Sequence, residues 1–243
     1  VRDPANPRVA ASVELPDEAS HTHKVRVVGD LMITNVEQND RHALRRGARL
    51  AEAAAELAAR LGRPPSDAEL AAALKIPEDL LPRLRHVLQH GYRDGGFKVY
   101  DISDRTRPRE IAYVRTHGVG VHRFDMDDRY AYISTEMEGY VGNILVVYDI
   151  ADPARPAEVS RWWMPGQHVA GGETPHWTGQ RNRLHHALRF GDELWASVWY
   201  AGLRVIDASD IANLRTTGAY DYHPPFPEPT HTIAPVPVRW QGR

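Results

Sequence analysis

The chain has 243 residues, 42% of them hydrophobic and 26% charged, and a formal net charge of -2. This is globular composition with enough length for a sizeable core, and its charge balance speaks against nucleic acid or an anionic membrane as a bulk partner. It has no cysteine, which excludes disulfides and thiolate metal sites, and no apolar run of the about 18 residues that a membrane helix needs.

In chain order, Val1-Arg2-Asp3-Pro4 is neither a signal peptide nor an initiator methionine and reads as a start inside a longer protein. The compartment is left open, with the cytoplasm as default. Arg8 to Leu15 reads as a single outer strand. HKVRVVGDLMITN from His23 is a strand–turn–strand pair. Between Asp40 and Gly95 the period becomes helical, as in Leu50, Ala54, Leu57 and Leu61. Three helices are expected, about 42–61, 66–74 and 77–90, the second opened by the capping box Ser66-x-x-Glu69.

Strand patterns return at Phe97. VYDISDRTRPREIAYV from Val99, VYDIADPARPAEVSRW from Val147 and VIDASDIANLRTTGAY from Val205 are one phrase, of which VRDPANPRVAASVEL from Val1 is a further copy. In each, an alternating apolar strand runs into an aspartate (Asp101, Asp149, Asp207) that closes a turn by bonding its own backbone. A second aspartate and a proline follow (Asp104 and Pro108, Asp152 and Pro156), with Leu214 in place of the last proline. HRFDMDDRYAYIS from His122 and HHALRFGDELWAS from His185 repeat the phrase at His23, with Gly29, Asp128 and Gly191 in register. The unit is four antiparallel strands recurring every 45–60 residues or so, which is the signature of a propeller blade. The expected fold is therefore an all-β β-propeller, a partial ring of about 3–4 blades. Blades occupy 1–40 and 95–243, with an inserted α-helical segment at 41–94. The last inner strand is expected over His231 to Val238, and open blade edges would allow association into a homo-oligomer.

His23, His122 and His185 hold one repeat position, and His231 stands where a fourth unit would place its own. First strands line the channel of a propeller, so four imidazoles aimed at one axis would hold a metal ion: iron first, with copper or zinc as alternatives. Each ring needs its second nitrogen held by a carboxylate or carbonyl, for which Glu136, Glu138, Glu173 and Glu228 are candidates. A histidine at this position can also simply bond a loop carbonyl. His117 and His223 are expected in exposed loops. The long loop GQHVAGGETPHWTGQRNRLHH offers Glu173 and His176 as catalytic groups that orient a small-molecule substrate or move protons, and Arg181 and Arg183 as partners for a substrate carboxylate or phosphate. The alternative for this loop is a rim packed by Trp162, Trp163 and Trp177.

GGFKVYDISD, GNILVVYDIADPARP and AGLRVIDASD resemble the LVIVD repeat, and STEMEGYVGNILVVYDI and RWWMPGQHVAGGETP are similar to phrases of a bacterial subgroup of that family. The resemblance implies a β-propeller and no particular activity. Histidines at inner-strand starts are similar in placement to those of carotenoid cleavage oxygenases, where four hold iron, and of selenium-binding proteins that act as methanethiol oxidases. The stretch Gly62 to Arg85 resembles a small helical module of bacterial sigma factors, but Lys75, Arg83 and Arg85 are few basic residues for a DNA-reading helix. The expected function is a metal-dependent oxidoreductase. A propeller scaffold for protein–protein interaction and a zinc-type hydrolase or lyase are the alternatives.

Overall fold

The computed structural model describes residues 5–16, 20–38, 50–79, 81–82, 85 and 94–236. The first blade comprises β1 (Ser20–His21), β2 (Val25–Val28), β3 (Leu31–Gln38), β4 (Gly96–Asp101) and β5 (Arg109–Arg115). Its inner strand is split: β1 and β2 pair with opposite ends of β3. The second blade runs β6 (His117–Met126), β7 (Tyr130–Glu136), β8 (Ile144–Asp149) and β9 (Ala157–Trp162). The third runs β10 (Leu184–Phe190), β11 (Glu193–Val198), β12 (Gly202–Asp207) and β13 (Arg215–Tyr220). Pairing within each blade is antiparallel between sequence neighbours, giving a partial propeller of three blades among the described residues.

The turns work as their residues dictate. Asp101, Asp149 and Asp207 each accept the backbone N–H two residues on, at 2.9, 2.8 and 2.9 Å. Asp104, Asp152 and Asp210 do the same for Thr106, Ala154 and Ala212. These side chains mimic a backbone turn and so specify where the third strand stops and the fourth begins. A register shift follows at the same place in each blade, after Val99, Val147 and Val205. Such bulges increase strand twist.

Blades pack face to face. Ile33, Phe97 and Val99 meet Phe124, Ile133 and Val146 between the first two. Tyr132, Leu145, Val147 and Trp162 meet Leu194, Ala196 and Ile206 between the second and third. Strand β8 alternates between these cores, so Ile144 to Tyr148 run continuously apolar because both faces are buried.

The helices α1 (Leu50–Leu61) and α2 (Asp67–Leu74) lie between β3 and β4. Both halves of the capping box form at Ser66 and Glu69. Leu57, Leu70, Leu74, Ile76 and Leu81 make a separate small core. Arg85 is held bidentate by Asp67. Residues 42–49 of the expected helix over 42–61, and most of the expected helix over 77–90, lie outside the described residues. No described helix is long and apolar enough to cross a membrane.

Two expected strands do not form. Residues 8–15 run without strand pairing, with Val9 exposed. Alternating side chains alone cannot make a strand when no neighbour supplies the ladder. Residues 231–236 also lack a ladder, and 237–238 lie outside the described residues. This segment is nonetheless held in the place of a next inner strand. Ser197 Oγ donates to the His231 carbonyl at 2.7 Å, and Thr230 N–H to the Trp199 carbonyl at 2.7 Å. The other blades use the same device. Asn35 Nδ2 donates to the Val121 carbonyl at 2.9 Å and Ser134 Oγ to the Leu184 carbonyl at 2.8 Å. Asn35, Ser134 and Ser197 are equally spaced from Gly29, Asp128 and Gly191, so one repeat position ties every second strand to the next blade's inner strand.

Candidate metal centre

The registered histidines fall where the inner strands leave their ladders. Val121 pairs with Thr135 and Arg123 with Ser134, so His122 is an extra residue in β6. Leu184 pairs with Val198 and His186 with Ser197, so His185 is the extra residue in β10. His23 lies in the gap between β1 and β2. There the Asn35 Oδ1 accepts the N–H groups of His23 and Lys24 at 3.1 and 3.0 Å and the Thr22 hydroxyl at 3.0 Å. A bulge re-aims the side chain it carries. Here the same irregularity recurs on the same residue type in successive blades.

The rings form one continuous row. Centroid separations are 5.0 Å from His23 to His122, 4.9 Å from His122 to His185 and 4.7 Å from His185 to His231. His21 extends it, 5.2 Å from His23. Trp199 stands against three members, at 6.4, 5.1 and 5.2 Å from His122, His185 and His231. His122 and His185 are buried, while His231 is exposed.

Glu37, fully buried near the end of β3, organises one end. His122 Nδ1 lies 2.9 Å from its Oε2 and 3.1 Å from its Oε1, and His21 Nε2 lies 3.1 Å from Oε2. His23 Nδ1 is at 3.7 Å and Arg183 Nη2 at 3.7 Å. Burial alone would raise the Glu37 pKa. The hydrogen bonds from His122 and His21, with their charge interactions, together outweigh it and keep the carboxyl well below its usual range. Burial also outweighs the pull of Glu37 on His122 and lowers its pKa, so the contact is a neutral Nδ1–H donating to a carboxylate. That leaves the lone pair on Nε2. His185 Nδ1 faces the carbonyl of His231, which can only accept, so here too the lone pair is on Nε2. Both ring nitrogens of His23 are buried without a hydrogen-bond partner. An imidazole with one nitrogen fixed by a carboxylate or carbonyl and the other free is the usual arrangement of a metal ligand. His21, His23 and Glu37 also offer ligand atoms all within 4.8 Å of one another, so this group could hold a metal ion.

Burial lowers His185 to about 3 and His23 to about 4. Unfolded imidazoles take up protons near 6.5, whereas these stay neutral in the fold until the pH is far lower. The unfolded state thus binds more protons in that window, and this stability is full above about 6.5 and lost progressively as pH falls through about 4 and then about 3. The metal-free chain is expected to unfold at a lower urea concentration at pH 5 than at pH 7.5. An unchanged midpoint would mean that these rings are solvated.

Glu173 and His176 make their contacts elsewhere. The Glu173 carboxylate accepts Trp163 Nε1 at 3.1 Å and the backbone N–H groups of Gly166 and His168 at 2.7 and 3.1 Å, closing its own loop. His176 packs against Trp177 at 5.3 Å. Glu136 accepts the Val119 N–H. His223 is buried rather than exposed: its Nδ1 meets the Phe226 carbonyl at 2.7 Å and its Nε2 the Thr230 hydroxyl at 3.2 Å, because the 221–230 segment folds back on itself. His186 Nε2–H donates to the Phe124 carbonyl at 3.1 Å, a bond across the blade interface. Sequence reasoning missed Glu37. The available signal was its position: it stands as far beyond Gly29 as Trp199 does beyond Gly191, and both touch the row.

Comparison with known families bears on the repeat itself. Residues 127–162, the turn before β7 through β9, match the LVIVD repeat. The chain carries an LVIVD repeat. The matched LVIVD segment includes Asp149, Asp152 and Pro156, the residues that make the turn after β8. No curated protein gives a significant match to the chain.

Proposed function

We propose that this LVIVD-repeat protein binds one transition-metal ion on its histidine row and acts as a metal-dependent oxidoreductase on a small molecule. The observation that carries the reading is the pair of bulged histidines, His122 and His185, each with Nδ1 engaged and Nε2 free. Their Nε2 atoms, with His23 and His231, are the proposed ligands. Glu37 orients His122 and balances part of the ion's charge. Neutral nitrogen donors with one nearby carboxylate suit iron or copper, and zinc would turn the same site toward hydrolysis or lysis. When bound, the ion would supply an open coordination position for oxygen or substrate. Trp199 would wall that position on the His185 and His231 side.

A second donor set is favoured by the proximity of His21, His23 and Glu37, two imidazoles and a carboxylate of the kind that holds ferrous iron. Metal analysis of the purified chain after loading with Fe(II), Cu(II) or Zn(II) decides between them. About one equivalent is expected in the parent protein. His185→Ala should weaken binding by roughly 10-fold or more if the bulged rings are ligands, and His21→Ala should do so if the carboxylate group is the site. Less than about a tenth of an equivalent of all three metals in the parent chain would leave a propeller scaffold without a metal centre.

A further inference from the structure

A second site lies away from the histidine row. The long loop after β9 and the β12–β13 strands border an open cleft of about 350 Å³, and no residue lines both it and the row. That volume suits a small organic molecule. Its walls include Met164 and Ala201, which are apolar, and Arg181, Arg204, Thr216 and Asp221, which are not.

The charges do not balance. Asp221 is hydrogen-bonded to other groups: Arg181 Nη2 donates to Oδ2 at 2.5 Å and the His223 N–H to Oδ1 at 2.9 Å. Arg204 is half-buried, and its Nη1 donates only to the carbonyls of Ala201 and Leu203, both at 2.7 Å. Those acceptors are neutral. Among the described residues no carboxylate pairs with Arg204. Burial disfavours its charged form and lowers its pKa, with Asp221 pulling the other way and Arg181 adding to the lowering. A cation taken partly out of water without a counter-charge is costly unless an anion completes it. Thr216 Oγ already accepts Trp162 Nε1 at 2.9 Å, so its O–H is left to donate.

We propose that this cleft binds a small organic anion. Its carboxylate or phosphate group sits on Arg204 and Thr216, and its short apolar body lies on Met164 and Ala201. The guanidinium supplies charge and paired donors for an oxyanion. The site gives the loop that carries His176 a role independent of any metal.

Calorimetric titration of the full chain with inorganic phosphate and with sodium propionate tests this, with the tryptophan emission of Trp162 as a second readout. One saturable site is expected for at least one probe, and the probe that binds tells phosphate from carboxylate recognition. Arg204→Gln should weaken it at least 10-fold while leaving metal content and circular dichroism unchanged. Should Arg204→Gln fail to fold, Thr216→Glu on the exposed strand decides: it places a carboxylate beside Arg204 and should abolish binding of both probes. Absence of saturable binding in the parent chain, or parent-like affinity in either folded variant, overturns the proposal. Loss of probe binding in His122→Ala overturns it too, since the anion would then belong to the histidine row.

Discussion

Glu37→Ala is expected to disable the proposed metal centre and to weaken the fold together. The carboxylate fixes the tautomer of His122 and holds His21, so losing it should lower metal affinity by about 10- to 100-fold. Two buried or half-buried imidazole donors would also lose their acceptor, at a cost of about 1–3 kcal/mol each. Glu37→Gln separates the two effects. It keeps the shape and one acceptor oxygen, so most of the stability should remain while metal affinity still falls. Metal analysis and urea unfolding of both variants check this. Parent-like metal content in Glu37→Ala would remove Glu37 from the centre.

Asn35→Ala should be at least as damaging to stability, although Asn35 touches no proposed ligand ring. Its amide accepts from Thr22, His23 and Lys24 and donates to the Val121 carbonyl, so it clamps the broken inner strand of the first blade and ties it to the second. Leaving two backbone N–H groups and a carbonyl unpaired costs on the order of 3–5 kcal/mol. Because the clamp positions His23, metal affinity should fall as well. Asn35→Ser tests the division of labour. Serine serves at this position in the other blades, where its hydroxyl donates to the next segment's carbonyl (Leu184, His231) and, at Ser197, also to His186 of its own blade, but accepts no backbone N–H of a broken inner strand. It should therefore recover part of the stability and little of the metal affinity. Equal recovery of both would show that the gap around His23 does not need its clamp.

The blade architecture was legible in the sequence because the interactions that define it are local. Asp101, Asp149 and Asp207 bond backbone two residues away, and the capping box at Ser66 spans three positions. Alternation along β8 and its neighbours shows which faces are buried. Gly29, Asp128 and Gly191 set the register that singles out His23, His122 and His185. The same local logic over-reached at Arg8 to Leu15 and at residues 231–236, where the pattern lacked a partner strand. It also placed His223 in solvent, since nothing near it in sequence shows that Thr230 returns to cover it.

The amino-acid sequence by itself determined the repeat, its turns, the helical segment between β3 and β4 and the shared histidine position. Only the tertiary structure decided that Glu37 is the carboxylate at the row, that His122 and His185 leave their ladders, that Glu173 is occupied by its own loop, and that Arg204 lines a cleft with no carboxylate paired to it among the described residues. The physical reason is separation along the chain. Turn and cap bonds join residues two or three apart, whereas Glu37 and His122 are 85 positions apart and meet only when two blades pack. A bulge, likewise, is a property of two paired strands and not of either strand's residues alone.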